Sequence, residues 1–219
     1  MNGKKFKMLK RDTIKIGTHT LYRIKALKDF SDVKKGDLGG YIEKEENLSH
    51  IGNCWVYNNA RVFGEAAVFD DARVYDYTKV YDSAEVFGNA EVFDIAMVYG
   101  NAEVFDTAMV YGNAEIYNNA KICNDAVVCG NAKLSHRAYI ESIFDYCTIS
   151  GFGSKARTTT FYKCNDGNIR VHCGCFNGTL KEFKKQVKET HGDNQYAKEY
   201  LAIVKIVKNK LKVEQKEED

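Results

Sequence analysis

The amino-acid sequence predicts a mainly β protein whose body is a β-solenoid, with a small β cap in front and a β-hairpin plus helices behind. Three observations predict it. A six-residue unit, Val-(Phe/Tyr)-(Gly/Asp/Asn)-x-Ala-x, runs without insertion from Val56 to Ile140. Its fifth position is alanine in every unit from Ala60 to Ala138 except at Thr78. The 219 residues contain no proline, as suits a stack of strands in which each rung needs its N–H.

A period of six fits no α-helix, whose apolar positions recur about every 3.6 residues. It fits a short strand followed by a turn. The β-branched residue suits the strand, and Gly, Asp or Asn tolerates the backbone angles of the corner. Three units closing a triangle make an 18-residue coil, and about fifteen units make about five coils, a rod on the order of 24 Å at the usual strand spacing. Residues 90–101 and 102–113 are near-copies twelve apart, which favours two units per coil and a flattened solenoid. Duplication can have any unit length, so the triangle is the reading adopted.

The elements follow in chain order. Residues 13–16 and 20–27 read as two strands around Gly17. In the lead-in, Leu48 and Cys54 lie on the alanine track, which starts the first coil there, and Trp55 is placed to cover the open end. Along the repeat, valine and the next residue point to opposite faces of a strand. Eleven successive second positions are aromatic, from Tyr57 to Tyr117. A narrow coil holds three valines and three alanines but not three rings as well, so the rings point out. Beyond Ile140 the register decays. Residues 157–163 and 169–173 read as a hairpin. Thr179 and Glu182 form a capping box opening a helix with Leu180, Phe183 and Val187 inward. A second helix after Asp193 carries Tyr196, Tyr200, Ile203 and Val207, although its β-branched run also suits a strand. The organisation expected is a cap at 1–47, the repeat at 48–150, an α+β module at 151–212 and a disordered tail at 213–219.

The net charge of +2 hides an acidic middle. Residues 1–53 carry 12 Lys+Arg against 7 Asp+Glu, residues 54–140 carry 6 against 12, and residues 141–219 carry 14 against 11. The acidic repeat would repel phosphates, so no nucleic acid is expected there. Turn chemistry alone explains the excess of Asp and Asn at corners. No run approaches the ~18 apolar residues of a membrane span. Seven irregularly spaced cysteines suit a reducing cytoplasm rather than a disulfide framework.

The repeat unit resembles the hexapeptide repeat of left-handed β-helix proteins. The lead-in Gly39-Gly40-Tyr41-Ile42, then Asn47-Leu48-Ser49 and Trp55-Val56, with the later CGCFNGTLKEF and THGDNQYAKEY, resembles hexapeptide-repeat proteins of bacteriophages and prophages. The resemblance implies a left-handed coil and a transferase-like label that rests on the fold alone.

Candidate chemistry is sparse. Hexapeptide-repeat acyltransferases use a histidine as general base, and the repeat offers His136 at a corner, with His50 just ahead of it. Neither is followed by an inserted loop that would build a coenzyme A pocket. Cys164, His172, Cys173, Cys175 and His191 are residue types that suit zinc, but Cys-x-Cys is not the usual spacing and packing explains them equally well. No cofactor is expected. The leading functional expectation is a non-enzymatic phage accessory protein that binds a host protein or itself through its faces. Trp55, Phe69, Phe87, Phe105, Tyr81 and Tyr99 are the binding candidates, with a homo-oligomer on the Phe69–Phe87–Phe105 face. The alternatives are an acyltransferase and a sponge for a small molecule or nucleotide.

Overall fold

A computed structural model describes residues 3–211; the expected tail at 213–219 lies outside them. Strands β1 (Phe6–Ile16) and β2 (His19–Ala26) form an antiparallel hairpin around Gly17. Strand β3 (Leu38–Ile42) then pairs antiparallel with β2 and parallel with Arg61–Val62. The cap and the first side of the solenoid are therefore one continuous sheet. Gly39 and Gly40 permit this junction. A Cβ on Gly39 would sit 2.6 Å from Ile24, and one on Gly40 would sit 2.5 Å from the Ala60 carbonyl.

Fifteen two-residue rungs follow, from Trp55–Val56 to Tyr139–Ile140. Each pairs in parallel with the rung 18 residues away, as Val62 with Val80 and Val74 with Val92. The pairing sorts the rungs into three sheets, so the coil has three units and the flattened alternative is excluded. One face carries six parallel rungs, from β3 to Lys133–Leu134, which makes about six turns rather than five. The extra turn starts at Ile42 and Leu48. Leu48 bridges Val68, so it sits on the valine track rather than the alanine track. Eight residues separate Leu48 from Val56, and this two-residue insertion hid the first coil from a strict count of six.

The valines and alanines of the repeat are buried throughout, which confirms the inward orientation. Corner residues adopt left-handed φ values, from 51° at Asn58 to 72° at Gly52. Asp and Asn tolerate that region better than other side-chain-bearing residues. The carboxylates there have a second task. Asp70, Asp82 and Asp94 accept hydrogen bonds from the N–H groups of Gly88, Gly100 and Gly112 one coil further on, at 3.2, 3.2 and 3.0 Å. The acidity of the repeat is thus bound up in its corners.

Two buried polar residues close the N-terminal end. Lys5 Nζ donates to the carbonyls of Gly52 and Cys54 at 3.2 and 2.9 Å. Asn47, at the end of the 3-10 turn Glu45–Asn47, ties the first turn to the next coil. Trp55 is buried beneath the cap, edge-on to Phe6 and Phe30.

The C-terminal end is closed by an antiparallel sheet of Tyr146–Phe152, Arg157–Lys163, Ile169–Cys173 and Phe176–Thr179. The first and last of these strands were missing from the sequence reading. Alternation divides the sheet. Phe161 and Val171 face helices α1 (Leu180–His191) and α2 (Gln195–Leu211), while Tyr162 and Cys164 join the solenoid core. The capping box forms as expected: Thr179 Oγ1 accepts from Glu182 N at 3.2 Å, and Glu182 Oε2 accepts from Thr179 N at 2.7 Å. The β-branched run of α2 is helical, with Tyr200, Ile203 and Val207 inward; Tyr196, expected with them, is exposed.

Candidate functional site

The outward rings stack in ladders. Phe69, Phe87 and Phe105 lie 4.8 and 5.0 Å apart with nearly parallel planes. Tyr81 and Tyr99 belong to a different face, in the ladder Phe63–Tyr81–Tyr99–Tyr117 at 4.9–5.1 Å. Each coil presents its ring directly over the last because the register is 18. All eleven rings are buried or half-buried, and the exposed large apolar side chains are others, such as Tyr77 and Ile95. The nominated binding residues therefore fall on two faces, with ring planes covered by one another. Trp55 offers no surface to a ligand.

His50 is engaged in the cap. Its ring stacks on Phe6 at 4.2 Å. Nδ1 accepts from the Lys5 N–H at 3.1 Å, which leaves Nε2 to donate to Glu45 Oε1 at 2.6 Å. Both nitrogens have structural duties, so His50 is no free base.

The cysteine and histidine set of the C-terminal module does not converge. Adjacent strand residues point apart: His172 turns to the solenoid, 3.1 Å from Tyr117 Oη, and Cys173 turns to the helices, 3.1 Å from Thr159 Oγ1. Burial pushes the Cys164 thiol up to about 12, far from the thiolate that zinc takes. Cys175 is exposed in a turn and His191 lies against Tyr196 and Tyr200. Among the described residues, no three His, Cys, Asp or Glu side chains gather as a metal site.

His136 is different. It is the last residue of a corner stack that runs Gly64, Asp82, Gly100, Asn118, His136, and its φ is 58°. The imidazole is exposed, with Nδ1 3.5 Å from Asn118 Nδ2. The C-terminal hairpin is fixed beside this corner by a bridge between Ala138 and Cys164 and by Asn165 N donating to Arg137 O at 3.0 Å. Together they enclose a groove of about 580 Å³ lined on the solenoid side by Asn101, Asn119, His136 and Arg137, and on the hairpin side by Asp166 and Arg170. Partial burial, and then the nearby Arg170 guanidinium, hold His136 below its ordinary pKa, so it is neutral near pH 7. A neutral imidazole with guanidiniums beside it can remove a proton while an anionic group is held next to it. Arg170 and Asp166 were not foreseen, because only the packing of the hairpin on the rod brings them to a residue some thirty positions earlier.

Taken together, the six-residue period, the 18-residue register and the inward valine and alanine tracks define a hexapeptide-repeat β-solenoid protein. Over 47 residues, or 21% of its length, the chain is 49% identical to the "Uncharacterized acetyltransferase YdcK" of Escherichia coli (strain K12). The match spans only 14% of that protein. No protein-family profile matches the chain.

Proposed function

We propose that the protein is an acyltransferase of the hexapeptide-repeat type, acting in the corner groove with His136 as general base. The observation that carries this reading is a neutral, exposed histidine in a groove shared with Arg137 and Arg170. The partial likeness to a protein named as an acetyltransferase supports it. With the Asn118 amide turned so that Oδ1 accepts from Nδ1–H, the lone pair is at Nε2. That nitrogen takes the proton of an acceptor hydroxyl or amine as the oxygen or nitrogen attacks the thioester carbonyl. The thiolate leaves and recovers the proton from the imidazolium. Arg137 and Arg170 are suited to the phosphates of the acyl donor.

The scaffold reading rested on eleven rings in need of cover. The ladders supply that cover within the chain, and nothing in the comparisons points to a phage.

The test is acyl transfer from acetyl-coenzyme A to a panel of amino sugars, polyamines and lysyl peptides, followed by mass spectrometry. Acceptor-dependent release of free coenzyme A is expected, and His136→Ala should lower it by about 10²-fold or more, as removal of a general base does. The same rate in His136→Ala, or no release with any acceptor, would overturn the assignment.

A further inference from the structure

The two helices of the C-terminal module form a second groove, separate from the one at His136. It encloses about 640 Å³. Four lysines line it from α1: Lys181, Lys184, Lys185 and Lys188. Lys205 and Lys208 line it from α2, and Leu201 and Val204 form its apolar floor.

The positions are consistent with one face of each helix, since residues three, four and seven apart share a side. Among the described residues, only Lys185 of the six has a carboxylate partner, Glu189 at 3.7 Å. The other acid of α1, Glu182, is taken by the capping box. Lysines at i and i+4, as 181/185 and 184/188, work against the helix by a few tenths of a kcal/mol each. Lys184 and Lys208 are close enough to interact directly, and burial, then Lys208, lowers the Lys184 pKa. The chain thus accumulates like charge in a recess at a cost to its own stability and supplies almost no counter-charge. Uncompensated violations of local rules mark functional places.

We infer that the groove between α1 and α2 binds the phosphodiester backbone of a nucleic-acid duplex without reading its sequence. The floor is aliphatic and holds no aromatic ring on which an unpaired base could stack, which disfavours a single strand. Lysines are point charges suited to phosphates, and no Arg, Asn or Gln lines the groove to read base edges. A recess between helices receives a phosphate ridge, whereas a lipid surface meets convex faces. The acidic solenoid repels the same ligand, so binding is confined to the C-terminal end, with the rod directed away.

The test uses the full chain and a short mixed-sequence DNA duplex, followed by fluorescence anisotropy. Each phosphate neutralised contributes about −0.9 to the slope of log K against log salt. Four to five contacts therefore weaken binding on the order of 10²-fold between about 50 and 200 mM salt. The combined variant Lys184→Gln, Lys188→Gln, Lys205→Gln, Lys208→Gln should bind at least tenfold more weakly and show a slope shallower by about three to four. Its melting temperature should not fall, because the substitutions relieve repulsion, and this separates lost binding from lost folding. No duplex binding at low salt, unchanged binding by the variant, or binding confined to single strands or to phosphatidylserine vesicles would overturn the proposal.

Discussion

Asn47 holds the first coil to the second through its carboxamide alone. Nδ2 donates to the carbonyls of Gly64 and Ala66 at 3.1 and 2.7 Å, and Oδ1 accepts from the N–H groups of Glu43 and Lys44 at 3.2 and 2.9 Å. Asn47→Ala removes all four. Glu43 N also donates to Val62 O at 3.1 Å, so that group keeps a partner, and the half-buried Lys44 N–H can find water. The unrelieved loss is two carbonyls against the coil. At about 1–3 kcal/mol for each orphaned buried group, with a small cavity added, the cost is about 3 kcal/mol. For a chain of this size that lowers the melting temperature by about 6–12 °C. Thermal circular dichroism reads it directly, with Asn101→Ala at an exposed corner as a control that stays within about 0.5 kcal/mol of the parent. Asn47→Asp sharpens the test. A carboxylate facing two carbonyls has its folded pKa raised, so the variant is most stable below the unfolded value of about 3.9 and loses stability as pH rises above it. An Asn47→Ala protein that melts within about 1 °C of the parent would refute the reasoning.

Val92→Asp places an unpaired carboxylate among buried valines and alanines, a cost of several kcal/mol; insoluble or unfolded protein is expected, and a soluble variant with an unchanged melting curve would reverse the assigned orientation. Asp145 is buried, which alone would raise its pKa, but the Lys163 ammonium at 2.7 Å, Ser142 and the Glu141 N–H outweigh this and hold it below the usual carboxylate range. Its stabilisation is therefore present above the ordinary carboxylate pKa and lost as pH falls through the folded value, so Asp145→Asn should flatten the acid limb of urea midpoint against pH. An unchanged limb would mean that the ion pair contributes nothing.

The repeat was legible because a single physical demand, two small inward side chains per side of a narrow coil, writes itself into every sixth residue. The first turn was less so. Ile42 and Leu48 serve as valines there, and the following Ser49–Asn53 loop is two residues too long for the period. The edge strands Tyr146–Phe152 and Phe176–Thr179 carry glycine and polar residues, because their places are set by neighbours rather than by an apolar pattern. Of the candidate site, His136 could be picked out as the histidine that interrupts a series of Gly, Asp and Asn corners. Its partners could not, since Arg170 reaches it only through tertiary packing. The zinc candidates failed for a reason that the sequence did contain. On one strand, residues 172 and 173 must face opposite ways.

The near-copies 90–101 and 102–113 acquire a mechanical meaning once the coil is known to hold three sides. A duplication of twelve residues adds two sides, not a whole coil, and leaves everything downstream rotated about the axis relative to the cap. The solenoid acts as a dial: each inserted unit advances the C-terminal module by one corner. The groove at His136 and the lysine-lined groove travel with that module, while the N-terminal sheet stays behind. Length changes in whole coils would preserve the angle between the two ends, and changes in single units would reset it without disturbing a single buried valine.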